Sequence, residues 1–200
     1  MLILGISTSS KYPSAAVMRG EELLSFMEDT SGRSHSETLL GLIESALSEA
    51  GIDKCELDRI AVDIGPGSFT GVRIGVSCAN AMAYALGVKV IPVSSLRAIA
   101  EAGFESDLVA PMIDCRNGNC YAALYCRGEE MIAPKPAVIS EFIASLPDGC
   151  VKAGDCFPER NDKPDAKLVL KAALKLADSA ANEAVPMYLR PSQAERMRGR

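Results

Sequence analysis

The chain has no tryptophan, and aromatic residues make up only 5% of its 200 positions. That scarcity argues against a nucleic-acid platform built by stacking bases on aromatic rings. Basic residues are the minority, 21 Lys and Arg against 26 Asp and Glu, and the formal charge of -5 disfavours a generic polyanion binder. A local basic patch stays compatible with these counts. Histidine occurs once, at His35, and no two of the seven cysteines are spaced C-x-x-C, so a zinc site of Cys and His ligands has little support. The cysteines are odd in number, and Met1-Leu2-Ile3-Leu4-Gly5 has neither a charged leader nor a small-residue cleavage site. Both point to a reduced, cytoplasmic protein whose thiols mostly serve as packing groups. The longest run without a charge, Ile74 to Val88, is 15 residues and contains Asn80 and two glycines, too short to cross about 30 Å of hydrocarbon. No membrane span is expected.

What is present suits a folded protein: 48% hydrophobic and 24% charged residues can build one ordinary domain or two small ones. Leu2 to Ser7 is an apolar run ending in the hydroxyl cluster Ser7-Thr8-Ser9-Ser10, and Ala15 to Met18 and Leu23 to Met27 complete a meander. From Ser34 the period changes. Leu39, Leu40, Leu42, Ile43, Ala46, Leu47 and Ala50 share about 160° of a helical wheel, Ser34 and Glu37 have capping-box spacing, and Gly51 suits the position after the helix. Arg59 to Ile64 reads as a strand, Gly65-Pro66-Gly67-Ser68 as a turn, and Thr70 to Leu86 as a long helix closed by Gly87. Val88 to Val93 is a further strand, after which Ser94-Ser95 can cap a helix over Leu96 to Ala102. The order β-β-β-α-β-α-β-α implies a mixed sheet with helices on its faces.

A similar, shorter programme follows Gly103. Strands Leu108 to Ile113 and Cys120 to Tyr125 flank the hairpin signal Asn117-Gly118, and proline-rich Ala133 to Ala137 reads as a connector. A short helix over Ser140 to Ser145, a strand over Cys150 to Ala153 and a helix over Ala166 to Ala181 complete the chain.

The segment Gly65-Pro66-Gly67-Ser68-Phe69-Thr70-Gly71-Val72-Arg73-Ile74-Gly75 is the most informative. A glycine-rich turn ahead of a helix lets backbone N–H groups approach an anion. It is not a P-loop, because no lysine occurs between Lys54 and Lys89; nor a dinucleotide fingerprint, because Pro92-Val93-Ser94-Ser95 stands where an acidic residue is needed. The other reading is that Gly65 and Gly67 permit a turn while Gly71 and Gly75 permit close packing. On the helix that follows, the polar residues Arg73, Ser77, Asn80 and Tyr84 fall on one stripe, and the apolar arc is wider than one sheet face requires. Another helix or a second chain should cover the excess. His35 reads as a capping or surface residue, and the acidic pairs Glu21-Glu22, Glu28-Asp29 and Glu129-Glu130 as solvated turns. Asp114, ending an apolar strand ahead of Arg116, could hold a metal-bound water or pair with that arginine.

Four segments in order, Ile3-Leu4-Gly5-Ile6-Ser7-Thr8-Ser9, Gly65 to Gly75, Ile113-Asp114-Cys115-Arg116-Asn117-Gly118 and Pro186-Met187-Tyr188-Leu189-Arg190-Pro191-Ser192, resemble the bacterial TsaB (YeaZ) family across almost the whole chain. The resemblance implies the α/β actin-like ATPase fold of sugar kinases and Hsp70: two ribonuclease-H-like subdomains with mixed sheets, here residues 1–103 and a reduced second one, 104–200. It also implies a non-catalytic scaffold that binds and activates a TsaD-like catalytic subunit, a paralogue of this chain. That complex forms N6-threonylcarbamoyladenosine at position 37 of tRNAs reading codons beginning with A. A TsaE-like ATPase joins the assembly, and the chain pairs with itself when TsaD is absent.

The implied partner surface is a four-helix contact using Leu42, Glu49, Arg73, Ile74, Ser77, Asn80, Ala81 and Tyr84, with Gly71 and Gly75 facing inward. A degenerate phosphate region comprises Ser7, Thr8, Ser9, Gly65, Gly67, Ser68, Asp114, Arg116 and Gly154. No catalytic residue, metal or cofactor is implied beyond a nucleotide at a partner interface. Two departures favour the non-catalytic role. TsaD-like enzymes carry a metal-binding H-x-x-x-H where this chain has Ser95 and Ile99, and Ser7 replaces the family's usual Asp. The alternative is an autonomous enzyme of the same fold, a sugar-kinase-like phosphotransferase or a metallopeptidase. The tail from Arg190 to Arg200, with four arginines against Glu195, could touch tRNA inside the assembly or simply be solvated.

Overall fold

The computed structural model describes residues 1–102, 106–157, 159–160 and 162–190. Strands β1 (Leu2–Ser7), β2 (Ser14–Arg19), β3 (Glu22–Glu28), β4 (Arg59–Asp63) and β5 (Lys89–Val93) form a five-stranded sheet in the order β3-β2-β1-β4-β5. The meander β1–β2–β3 is antiparallel, and β4 and β5 join parallel to β1. This is the mixed sheet that the element order predicts. Helices α1 (His35–Ala50) and α2 (Phe69–Leu86) lie on one face, where Leu39, Ile43, Val72, Val76 and Ala79 pack against Leu4, Ile6, Val17 and Val62. Both helices end at a left-handed glycine, Gly51 and Gly87. The capping box at the start of α1 does not form: the Ser34 hydroxyl lies 2.7 Å from Ser36 Oγ, and the cap N–H of Glu37 goes instead to the Ser34 carbonyl.

Strands β6 (Leu108–Asp114), β7 (Asn119–Cys126), β8 (Glu129–Val138) and β9 (Val151–Ala153) make a second sheet in the order β8-β7-β6-β9. The proline-rich stretch expected to be a connector is the second half of β8. Pro134 and Pro136 are tolerated because β8 is an edge strand, where a missing N–H interrupts no inner ladder. Helix α4 (Ile139–Ala144) buries Phe142 against one face of this sheet. Helix α3 (Ser95–Ala100) lies between the sheets. Its Leu96 and Ile99 pack with Val109 and Ile113 of the second sheet, while Ala98 joins the core under the first.

Helix α5 (Ala166–Lys175) is shorter than predicted, giving way to a single turn of 3-10 helix at Ala177–Ser179, and it does not belong with the second sheet. It crosses back to the open face of the first. There Ala166, Val169, Leu170 and Ala173 cover Ile3, Ala16, Ala61 and Ile91. β1 is an inner strand between antiparallel β2 and parallel β4, and all six of its residues are buried: Leu4 and Ile6 lie under α1 and α2, and Ile3 and Gly5 under α5. Gly5 is required at the contact, since a Cβ there would stand 2.6 Å from Leu170 Cγ. A division at 103/104 falls on residues outside the described ones, and it separates the sheets but not their cores. Among the described residues no helix is long and apolar enough to cross a membrane.

Candidate functional site

The ends of β1 and β4 and the starts of α2 and α3 meet at the glycine turn. Gly65 has φ +92, which glycine adopts without strain. The next three glycines are demanded by contact with the chain leaving β1. A Cβ on Gly67 would lie 2.6 Å from the Ser9 carbonyl oxygen, one on Gly71 2.0 Å from that of Thr8, and one on Gly75 2.2 Å from Thr8 Oγ1. Ser68 N–H donates to the Ser9 carbonyl at 2.8 Å, Gly71 N–H to Ser68 Oγ at 3.1 Å, and the Thr8 hydroxyl to the Gly71 carbonyl at 2.7 Å. Two N–H groups that an anion cradle would use are thus engaged internally. The close packing is realised, with Gly71 and Gly75 facing inward.

Behind the turn lies a residue that the sequence reading passed over. Asp63, the last residue of β4, has no solvent exposure, and its carboxyl accepts from four donors. Ser7 Oγ and Gly65 N–H each reach it at 2.9 Å, and the Ser9 and Ser95 hydroxyls close the ring. Burial pushes its pKa above the usual carboxylate value, while the bonds from Ser9, Ser95, Gly65 and Ser7 pull against that shift. The carboxylate missing at Ser7 has a neighbouring substitute on the next strand, tied to three hydroxyls. The one legible signal was an acidic residue closing an apolar strand directly before the glycine turn. Ser95 and Ile99, the positions compared with metal ligands, are both fully buried, the first on Asp63 and the second in the core.

Between the sheets is a cavity of about 190 Å³ lined by Ser9, Ser10, Lys11, Gly67, Asp155 and Lys163. Sites for drug-sized ligands run at about 300–1,000 Å³, so this one is small for a nucleotide. A larger open groove, about 830 Å³, lies away from it between the β2–β3 turn and α5 and carries charges of both signs. Asp114 is exposed, and it meets Arg116 through the backbone: its Oδ1 accepts from Arg116 N–H at 2.8 Å, while its own N–H donates to Asp155 Oδ1 at 2.7 Å. Gly154, with φ +112, lies so tightly on β6 that a Cβ would collide with the Met112 carbonyl. Among the described residues no three His, Cys, Asp or Glu side chains are placed to hold a metal ion. His35 is half-buried at the start of α1, with Nε2 3.2 Å from the Lys11 carbonyl oxygen.

On the outer face of the helix pair, Ser77, Ala81 and Glu49 are exposed, and Tyr84 is 91% exposed. Leu42 and Ile74 are half-buried, and Leu40, not among the predicted contacts, is 60% exposed. Arg73 is exposed and Asn80 half-buried, and both are engaged by the segment 181–190, which runs back along α2. Asn80 pairs with Ala184 in both directions at 2.9 Å, as one peptide pairs with another. Arg73 stacks on the Phe69 ring at 4.0 Å and donates to Tyr188 Oη at 2.8 Å. The arm also pairs Ala181 with Val90, Met187 N–H with the Ile64 carbonyl, and the Arg190 guanidinium with Asn119 of β7. It thereby links the glycine turn to both sheets. The tail beyond Arg190 lies outside the described residues.

Residues 28–145 match the family model described as TsaD, tRNA N6-adenosine threonylcarbamoyltransferase. Over 96% of its length the chain is 31% identical to an uncharacterized protein of Mycobacterium tuberculosis, spanning 93% of that protein. It is 29% identical to the Escherichia coli tRNA threonylcarbamoyladenosine biosynthesis protein TsaB, over 97% of this chain and 96% of that one. Among solved structures it is similar to YeaZ from Pseudomonas aeruginosa, with a TM-score of 0.76 at 26% identity, covering 94% of this chain and 99% of the other. With the shared fold, the glycine turn and these matches in place, the chain belongs to the tRNA N6-adenosine threonylcarbamoyltransferase family, on its TsaB (YeaZ) branch.

Proposed function

We propose that this chain is a non-catalytic cytoplasmic subunit of the machinery that makes N6-threonylcarbamoyladenosine in tRNA, and that it binds and activates a TsaD-like catalytic subunit. The observation that carries the reading is the closed Asp63 cluster. A catalytic member needs polar ligands open to the interdomain cleft. Here Ser7, Ser9 and Ser95 turn their hydroxyls onto one buried carboxyl, and Ile99 is core. The cleft beside them is small for a nucleotide, so any nucleotide contact belongs at a partner interface.

The partner surface is the outer face of α1 and α2, centred on Ala81 between Ser77 and Tyr84 and continued by Leu40 and Leu42. Small side chains let a second helix pair approach, and Tyr84 supplies an aromatic anchor. Arg73 and Asn80 contribute by holding the arm beside it. Self-pairing and TsaD pairing compete for this patch, and a TsaE-like ATPase joins once the heteromer has formed. Transfer RNA reaches the chain only within that assembly, through its basic tail.

The test is binding. Mixed with a TsaD-like subunit, the chain should form a heteromer by native mass measurement, and Ala81→Glu, which buries an unpaired charge, should weaken it by an amount on the order of several kcal/mol. A folded Ala81→Glu variant that binds with undiminished affinity would remove the proposed surface.

A further inference from the structure

The seven cysteines are free, but two of them are neighbours in a way that spacing along the chain conceals. Cys120, near the start of β7, is fully buried on the face of the second sheet that carries Ala122 and Leu124 and packs against Phe142 of α4. Cys156 belongs to the turn after β9 and packs into the same cluster, yet it keeps partial exposure. The backbone brings them together by an independent route. Cys120 is the register partner of Asp114, and the turn holding Cys156 is fastened to that same stretch of β6: Asp155 Oδ1 accepts from Asp114 N–H at 2.7 Å, and Gly154 presses on Met112. The two side chains thus share one apolar cluster with Leu124 and Phe142. Cys150 shares the cluster but directs its thiol to the Val151 carbonyl.

We propose that Cys120 and Cys156 form a reversible disulfide by exchange with a small-molecule disulfide such as oxidised glutathione, making the cleft wall at 154–157 a redox-modifiable site. The hydrogen bond from Cys156 holds the Cys120 thiol down and raises that of Cys156, and the Arg190 guanidinium nearby favours thiolate at Cys120. Transfer of the Cys156 proton to the Cys120 thiolate places the negative charge on the accessible sulfur, and the first departing glutathione thiolate later takes that proton. Cys156, the accessible one, attacks glutathione disulfide and expels one glutathione thiolate, leaving a mixed disulfide. The Cys120 thiolate then attacks the Cys156 sulfur and expels the second. Two protein thiols are oxidised and one glutathione disulfide is reduced to two molecules of glutathione, the thiol protons balancing the two departing thiolates. The bond would tie the turn beside Asp155 to β7 and so stiffen one wall of the cleft.

The experiment incubates the full chain with oxidised glutathione, alkylates the remaining thiols and maps the peptides by mass. The expected product is a Cys120–Cys156 cross-linked peptide that dithiothreitol reverses, with the other five cysteines alkylated. Cys120→Ala should stop at a stable glutathione adduct on Cys156, and Cys156→Ser, at a partly exposed position that need not disturb the core, should leave Cys120 unmodified. If the wild-type chain also stops at the Cys156 adduct, or if Cys120 pairs with Cys115 instead, the proposal is overturned.

Discussion

At Asp63 burial and hydrogen bonding oppose each other. Ser7, Ser9 and Ser95 have one hydroxyl hydrogen each, yet they stand in five contacts, with Asp63, with the Pro164 carbonyl and with one another. A protonated Asp63 supplies the fourth hydrogen, and an asparagine amide offers donors of its own without a charge to desolvate. Asp63→Asn should therefore stabilise the protein where Asp63 is ionised. The sign follows from the raised pKa. Stability from the protonated acid is fully present below the usual carboxyl value of 3.8 and is lost as pH rises through the higher folded value. Urea unfolding should show Asp63→Asn and wild type close together at about pH 4 and the variant more stable at about pH 8. An equal gap at both values would mean that the carboxyl is not shifted. Asp63→Ala, which leaves the Ser9 hydroxyl and the Gly65 N–H without their acceptor and takes one acceptor from each of Ser7 and Ser95, should cost about 3 kcal/mol or more. Beyond its place at the end of an apolar strand, little of this was legible around residue 63, because the three hydroxyls that bond it, Ser7, Ser9 and Ser95, lie far away along the chain.

Helix α2 shows which parts of an element a sequence discloses. Its limits were readable from local chemistry, a glycine-rich turn before it, an uninterrupted run and a glycine stop, and so was the inward side of Gly71 and Gly75; the Ser68 cap was not. The depth of that contact was not. A Cβ at Gly71 meets the Thr8 backbone, whereas one at Gly75 meets the Thr8 side chain, which can turn only by giving up its bond to the Gly71 carbonyl. Gly71→Ala should be the more destabilising by about 1–3 kcal/mol in thermal or urea unfolding, and the reverse order would remove the packing account of the motif. The two strand prolines of β8 were misleading for the opposite reason, since edge position, a property of the whole sheet, is what admits them. The arm at 181–190 lacked any periodic pattern because single long-range pairs hold it. Asn80→Ala deletes both bonds to Ala184, and limited proteolysis should then cleave the arm faster while the α2 core stays protected. Unchanged cleavage would show that Tyr188 and Met187 suffice to hold it.

For the whole molecule, the fold class was readable from the alternation of elements, but the return of α5 to the first sheet was not, because its apolar stripe does not say which sheet it faces. That return packs α5 on the first sheet beside α3, whose other side meets the second, with the glycine turn at their junction and the α1–α2 face left outward. The geometry suits a subunit that lends a surface rather than a reaction. The most direct check is reconstitution: threonylcarbamoyl-adenylate and unmodified tRNA are supplied to this chain alone, to a TsaD-like subunit alone, and to both, and modified adenosine is measured. The account predicts no product from this chain by itself and a rate with both subunits well above that of the partner alone. Product formed by this chain alone would contradict it.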